Sequence, residues 1–182
     1  MKRAKKIILV PHCLLNVNSK VEGLATSPGT VRNVLDALLD RNYGIIQMPC
    51  PEHLIMGIKR WGQSISQYDN PFYEDHCRKI ARTIIMEVKD YQKNGYSVSY
   101  VLGMNGSPSC GVSKTFLGDG GGVSNEKITF DDFKVGPGQG VFMRCLKEEA
   151  IKNKTPLEFI GLDEANPEGS LKEILSVLDK NN

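Results

Sequence analysis

The chain has 182 residues, of which 40% are hydrophobic and 24% are charged, a composition typical of one globular domain with a sizeable core. The formal net charge of +2 gives no electrostatic reason to expect nucleic acid as an obligate partner. No apolar run approaches the roughly 18 residues of a membrane span, and the run after the basic N-terminus is too short for a secretion signal. We therefore expect a cytoplasmic protein that needs neither nucleic acid nor a membrane as a partner.

The first predicted element is a β-strand over residues 5–12, whose nearly continuous hydrophobicity is typical of a parallel sheet covered on both faces. A polar, irregular segment over residues 13–27 follows, and we expect it to form a loop over the strand ends. Ser27 and Pro28 then predict the start of a helix, as its N-cap and its first helical residue.

A stripe of apolar residues at helical spacing supports this helix, and an Asn-Tyr-Gly sequence ends it. Residues 44–48 predict a second strand. The segment 51–70 is less regular and predicts at most a short helix around residues 54–58, because two glycines argue against a long one.

Asn70 and Pro71 predict the start of a long helix that runs to about Lys93 and carries one apolar face. An Asn-Gly pair ends it. Residues 98–102 follow as a third strand, because they are a run of β-branched, aromatic and aliphatic side chains.

Residues 112–136 are rich in glycine and predict a β-hairpin or flap. Two short β-like pieces, Thr115–Leu117 and Lys127–Phe130, lie on either side of Gly120–Gly122. The flap follows the third strand closely enough to fold over the strand ends.

The C-terminal part predicts three further elements. The segment Gly136–Gly140 leads into a helix that ends near Lys152. Residues 157–162 predict a fourth strand, and residues 170–178 predict a last helix.

This order of elements predicts a single α/β domain over residues 1–182. We expect an open, mostly parallel sheet of about four strands with helices on both faces, Rossmann-like or flavodoxin-like, with the flap at 112–136. In such sheets, ligand and active sites lie beyond the carboxyl ends of the strands.

Three of the five cysteines follow the first three predicted strands: Cys13, Cys50 and Cys110. Adjacent strands lie about 5 Å apart, so the fold would bring these thiols together, although they are too far apart in sequence for a local zinc ribbon. Three thiolates without an evident fourth ligand suit an iron–sulfur cluster with one open iron, or zinc with one exchangeable position. Plain buried cysteines are the remaining interpretation.

Other candidate residues carry weaker signals. Cys77 and Cys145 lie on predicted helices beside apolar residues, so we expect them to pack in the core. His12 and His53 flank two of the cysteines and could support the site or lie at the surface. The segment Gly138–Gly140 could bind an anion at a helix start, and a plain flexible helix start explains it equally well.

The cysteines also carry a resemblance to a known family. The motifs are Cys13-Leu14-Leu15, Cys50-Pro51-Glu52, Ser107-Pro108-Ser109-Cys110-Gly111 and Gly138-Gln139-Gly140-Val141. With these motifs the chain resembles the thiouracil desulfidase family over roughly residues 5–150. Characterised members of that family bind a [4Fe-4S] cluster through three cysteines and remove sulfur from thiolated uracil without net redox change.

The resemblance implies that Cys13, Cys50 and Cys110 hold a [4Fe-4S] cluster with one open iron. It also implies that Glu52 is the catalytic acidic residue and that Ser107 assists it. The implied function is a non-redox desulfidase that removes sulfur from a thiolated nucleobase or a similar small thiocarbonyl compound and releases sulfide. The structural alternatives are a solvated helix-start carboxylate for Glu52 and a turn-shaping role for Ser107.

Two segments, residues 16–23 and 53–61, depart from the usual pattern of the family. Both would line the substrate pocket, so we expect a divergent branch of the family. Two other classes of protein remain as hypotheses. One is a zinc protein with three cysteine ligands, and the other is a non-catalytic small-molecule-binding protein of the same fold.

Overall fold

The computed structural model describes residues 2–118 and 134–180. Its strands are β1 (Lys6–Pro11), β2 (Gly44–Met48), β3 (Ser97–Met104), β4 (Lys114–Leu117), β5 (Lys134–Pro137) and β6 (Glu158–Leu162). Its helices are α1 (His12–Leu15), α2 (Arg32–Asp40), α3 (Pro51–Met56), α4 (Ile65–Tyr68), α5 (Pro71–Lys93), α6 (Val141–Lys152) and α7 (Pro167–Asp179), with a 3-10 turn at Val17–Ser19.

Four strands form a parallel sheet in the order β2-β1-β3-β6, which confirms the predicted α/β architecture. The register aligns Ile8 of β1 with Ile45 of β2 and with Tyr100 of β3. Because all pairs are parallel, the carboxyl ends of β2, β1 and β3 lie side by side at one edge.

The two central strands are the most buried, as their unbroken apolar sequences predict. Residues 7–10 of β1 and residues 100–104 of β3 are buried throughout. Helices α5 and α6 pack against each other, and α2 contacts α7, so the sheet is flanked by helices.

Helix α5 begins and ends where the sequence predicts. The Asn70 side chain accepts hydrogen bonds from the backbone N–H groups of Phe72 and Tyr73, at 3.1 and 3.0 Å. Pro71 takes the first helical position, where no N–H is needed. Gly95 follows the C-cap with a φ of +77°, a conformation that suits glycine.

The predicted start of α2 at Ser27 and Pro28 is wrong, since the helix begins at Arg32. The backbone of the preceding residues is engaged with the segment after β1 instead. Gly29 accepts a hydrogen bond from the Val17 N–H, and the Val31 N–H donates to the Leu14 carbonyl. These tertiary bonds override the local helix-start signal.

The last helix starts three residues before its predicted position. Asn166 caps it by accepting a hydrogen bond from the Gly169 N–H at 3.1 Å, and Pro167 is its first residue. The Asn-Pro pair is the same start signal that marks α5, so the sequence contained this information.

Strands β4 and β5 form an antiparallel pair, in register from Lys114 opposite Pro137 to Leu117 opposite Lys134. The partner of the predicted piece Thr115–Leu117 is therefore Lys134–Pro137, a strand that the sequence did not predict. The pieces at Gly120–Gly122 and Lys127–Phe130 lie outside the described residues, so the flap stays a prediction. No helix among the described residues is long and apolar enough to cross a membrane.

Candidate metal centre

The three predicted ligand cysteines all follow strands that end at the same edge of the sheet. Cys13 lies in α1, directly after β1, and Cys50 is the N-cap of α3, two residues after β2. Cys110 lies in the turn after β3. Since β2, β1 and β3 are neighbours, these three positions lie along one edge of the sheet.

The Cys50 turn combines a cap with a proline. The Cys50 sulfur accepts a hydrogen bond from the His53 N–H at 3.4 Å, and Pro51 takes the first helical position of α3. Glu52 therefore lies in the first turn of the helix, where a carboxylate is favoured by the helix dipole.

The Cys110 turn folds back onto the end of β3. The Met104 N–H donates to the Cys110 carbonyl at 2.8 Å. The Ser107 hydroxyl oxygen accepts hydrogen bonds from the backbone N–H groups of Ser109 and Cys110, at 3.2 and 3.0 Å. A Cβ at Gly103 would lie 2.5 Å from the Cys110 carbonyl oxygen, so only glycine allows this close approach.

Helix α6 supports the same turn from the other side. The N–H groups of Val141 and Met143 donate to the carbonyls of Pro108 and Ser109, at 2.9 and 3.1 Å, and the Gly140 N–H donates to the carbonyl of Gly111. These N–H groups hold the turn and are not free for a ligand. The helix start is therefore held to the Cys110 turn, which fits neither an anion site that uses these N–H groups nor a plain flexible helix start.

The three thiols differ in exposure but share one electrostatic environment. Burial raises the pKa of Cys13 to about 12, although part of this residue contacts solvent. Burial also raises the pKa of Cys50 and Cys110, and the negative charges of neighbouring groups act in the same direction. For Cys110 those groups include Cys50, Cys13 and Glu52. Thiolates in this environment would be stabilised by a bound cation.

Glu52 is buried and paired, with only 7% of its surface exposed. Arg60 Nε donates to Glu52 Oε2 at 3.1 Å, and the Ser107 hydroxyl donates to Glu52 Oε1 over a long 3.5 Å. The structure therefore brings together the two residues that the sequence predicts as catalytic. A buried carboxylate needs such partners, since an unpaired one would be strongly destabilising.

The sequence did not point to Arg60, although it contacts Glu52 directly. Its Nη2 also donates to the Ser19 carbonyl at 2.7 Å. This joins the two segments that depart from the pattern of the family, residues 16–23 and 53–61. No local pattern distinguishes a buried arginine of this kind from an exposed one.

A second ion pair lies near Cys13. Lys20 pairs with Glu164, which follows β6, and the Thr26 hydroxyl donates to the same carboxylate at 2.6 Å. The positive charge of Lys20 partly offsets the rise in the pKa of Cys13. The partners are 144 residues apart, so the sequence alone could not reveal this pair.

The structure also shows where the other candidate residues from the sequence lie. Cys77 and Cys145 are fully buried in the core, as predicted. The His12 and His53 rings lie 6.1 Å apart edge to face, and His12 forms a hydrogen bond with Gln47.

All five cysteines are free thiols. Within residues 2–118 and 134–180, no group of three or more His, Cys, Asp or Glu side chains is close enough together to hold a metal ion.

Comparison with known proteins agrees with this architecture. The sequence model of the 2-thiouracil desulfurase family matches residues 8–156. A relative from Methanocaldococcus jannaschii, named Uncharacterized protein MJ0003, is 38% identical over 112 residues, which are 62% of this chain and 71% of the relative.

The structure is also similar to a solved one, that of the [4Fe-4S]-dependent thiouracil desulfidase TudS. The match covers 94% of this chain and 99% of that chain, with a TM-score of 0.50 and 18% identity, so it shows a shared fold. The low identity fits a divergent branch. Because the family match spans most of its length, the chain belongs to the 2-thiouracil desulfurase family.

Proposed function

We propose that the protein is an enzyme that removes sulfur from a thiolated nucleobase, or a similar small thiocarbonyl compound, and releases it as sulfide. Membership of the family supports this activity. The observation that carries the proposal is the position of Cys13, Cys50 and Cys110 at neighbouring strand ends, beside the buried Glu52.

We further propose that these three cysteines hold a [4Fe-4S] cluster, as the name of the structural neighbour says of TudS. The donor set fits this cofactor, because it consists of free, soft thiols in partly shielded turns with a backbone N–H aimed at the Cys50 sulfur. If Cys13, Cys50 and Cys110 hold the cluster, one of its irons would be left without a protein ligand and would supply a soft Lewis acid for a thiocarbonyl sulfur.

Glu52 is suited to take a proton from the attacking water. Arg60 holds Oε2, which fixes the carboxylate and leaves Oε1 on the side of Ser107. A carboxylate oxygen in this position can accept the proton of a water next to it. The hydroxide that results would add to the carbon that bears the sulfur.

Ser107 is oriented for this reaction by the backbone. Two N–H groups, from Ser109 and Cys110, donate to its oxygen, so its single hydroxyl hydrogen is directed elsewhere, toward Glu52 Oε1. The Ser107 hydroxyl can therefore accept hydrogen bonds from the turn and donate one to the Glu52 carboxylate at the same time. This connection can stabilise charge that develops at the site during the reaction.

The overall reaction balances without an electron donor or acceptor. Water supplies the oxygen of the oxo product, and the sulfur leaves as sulfide with the protons of that water. We expect the substrate to be a small thiocarbonyl molecule, and the location of the protein to be cytoplasmic.

The experiment is metal and acid-labile sulfide analysis of protein purified without oxygen, followed by incubation with 2- and 4-thiouracil. We expect a brown protein with about four irons and four sulfides per chain that releases sulfide. A colourless protein containing zinc would support the zinc hypothesis instead. A brown protein that is inert toward every thionucleobase would support the non-catalytic binding protein.

A further inference from the structure

Two polar side chains on one face of α5 reach toward the candidate centre. The Tyr73 hydroxyl forms a 2.7 Å hydrogen bond with the Ser109 hydroxyl, and both residues are buried. His76 Nε2 donates to the Pro51 carbonyl at 3.1 Å. Residues three apart lie on the same side of a helix, so Tyr73 and His76 form one contact surface.

This surface touches both turns that carry the candidate catalytic residues. Ser109 directly precedes Cys110, and Pro51 lies between Cys50 and Glu52. The first turns of α5 therefore connect the turn after β2 with the turn after β3.

Hydrogen bonds at two groups of Ser109, its hydroxyl and its backbone N–H, link the helix to Glu52 through Ser107. The Tyr73 hydroxyl bonds to the Ser109 hydroxyl, the Ser109 N–H donates to the Ser107 hydroxyl oxygen, and Ser107 donates to Glu52. Burial raises the pKa of Tyr73, so its hydroxyl stays protonated at neutral pH and can donate a hydrogen bond.

The same cluster of rings restrains Tyr73 itself. The Tyr68 ring packs against the Tyr73 ring with centroids 4.5 Å apart, and the His76 ring lies 6.2 Å from it on the same helix. Tyr68 is only 1% exposed. Side chains fixed in this way lose little entropy when they form their hydrogen bonds, which suits a positioning role.

We propose that Tyr73 and His76 are positioning residues that hold the Cys50–Glu52 turn and the Ser107–Cys110 turn at a fixed separation. Only the expected effect of these residues on catalysis rests on the proposed function; their effect on the two turns does not. Helix α5 does not depend on these two bonds for its place in the core, since Ala81, Ile85 and Val88 bury its apolar face farther along.

The first test uses the metal-free protein and the substitution Tyr73→Phe, which removes one hydroxyl and keeps the ring. Amide hydrogen exchange at Ser109 and Cys110 should accelerate about fivefold, the equivalent of one net hydrogen bond. Alkylation of Cys110 should accelerate relative to that of Cys145 in the same sample. Tyr91→Phe is the matched control, because Tyr91 lies at the far end of α5 and packs on Tyr96.

The second test uses a pair of substitutions at His76. His76→Leu removes the donor to the Pro51 carbonyl, whereas His76→Gln keeps an N–H donor on a flexible side chain. We expect faster exchange at the amides of His53 and Leu54, which bond to Cys50, in the leucine variant only. This pair decides the proposal even if Tyr73→Phe does not fold.

The catalytic consequence is measured on cluster-loaded protein. Tyr73→Phe should lower kcat about tenfold and change KM less than twofold, because it shifts Ser107 and Glu52 without touching the substrate. Wild type that releases no sulfide would defeat the proposed function but not the positioning role, which the metal-free measurements decide. Rates equal to those of Tyr91→Phe in Tyr73→Phe would remove Tyr73 from the proposal, and equal exchange in His76→Leu and His76→Gln would remove His76. Null results at both positions would overturn the inference.

Discussion

Two groups of cysteines in this protein share a residue type but differ in their place in the fold. Cys77 and Cys145 are fully buried within helices α5 and α6, where the Cys145 thiol donates to the Glu74 carbonyl over 3.9 Å. Cys13, Cys50 and Cys110 lie in turns after strands.

The raised pKa of a thiol does not separate the two groups. Burial raises the pKa of Cys145 to about 11 and that of Cys13 to about 12, so both would be protonated at neutral pH. What differs is the place in the fold. The Cys50 turn follows a strand and offers a backbone N–H next to the buried Glu52, and the Cys13 turn follows a strand near Lys20. Polar and charged groups also lie near Cys77 and Cys145, so position at neighbouring strand ends, rather than burial or polar neighbours, identifies the candidate site.

The largest expected effect comes from replacing the strand-end cysteines. Each of the single substitutions Cys13→Ser, Cys50→Ser and Cys110→Ser should abolish the absorbance of the cluster, because a serine oxygen is a harder and more basic ligand for iron than a cysteine sulfur. Cluster absorbance and iron content per chain measure this effect. Full retention of the cluster in any one of the three variants would remove that cysteine from the ligand set.

Cys145→Ser is the matched control for these variants. It should keep the cluster and lower the free energy of unfolding by about 1 kcal/mol, because it buries a hydroxyl among apolar side chains. Loss of the cluster in a folded Cys145→Ser protein would show that Cys145 is also needed for the cluster and would remove the distinction between the two groups.

The next prediction distinguishes a loss of the cluster from a loss of catalytic activity. Glu52→Gln keeps the size of the side chain and deletes the base, so the cluster should remain while turnover falls about 100-fold or more. Sulfide release at matched iron content measures this effect. Rates equal to wild type would show that Glu52 is not the base.

Ser107→Ala gives a graded comparison with Glu52→Gln. It should cost less activity, because the backbone N–H groups of Ser109 and Cys110 remain as donors after the hydroxyl is lost. A larger loss than in Glu52→Gln, with the cluster intact, would instead make Ser107 the principal catalytic group.

A smaller effect on activity, with a clear effect on stability, is expected at Arg60. Arg60→Met leaves the Glu52 carboxylate buried without its cation and the Ser19 carbonyl without its donor. Unfolding by urea should show a loss of about 3 kcal/mol, the usual scale for breaking a buried ion pair. Arg60→Lys keeps the charge and should recover part of the loss, and equal stability of all three proteins would contradict the structural pair.

Much of the architecture could be predicted because it depends on local patterns. The strands are short apolar runs, and α5 has a proline-containing start and an Asn-Gly end. The positions of the three cysteines follow from the rule that sites lie beyond the carboxyl ends of parallel strands. The start of α2 could not be predicted, because backbone bonds from Gly29 and Val31 to the segment after β1 decide it.

The side-chain contacts inside the site could not be predicted from local sequence patterns either, because they join residues that are far apart in the sequence. The partner of Tyr73 is 36 residues away, and Arg60 reaches the Ser19 carbonyl across 41 residues. Neither contact leaves a periodic signal or a turn signal in the sequence. The residues that shape a site are therefore harder to predict than the residues that follow its strands.

The most direct test of the account is sulfide release from 2-thiouracil by protein reconstituted with iron and sulfide without oxygen. We predict that sulfide and uracil appear in equal amounts over many turnovers, without an added reductant or oxidant, and that Cys110→Ser treated in the same way produces neither. Fully loaded protein that yields no sulfide from any thionucleobase, or yields it only with an electron donor, would contradict the account.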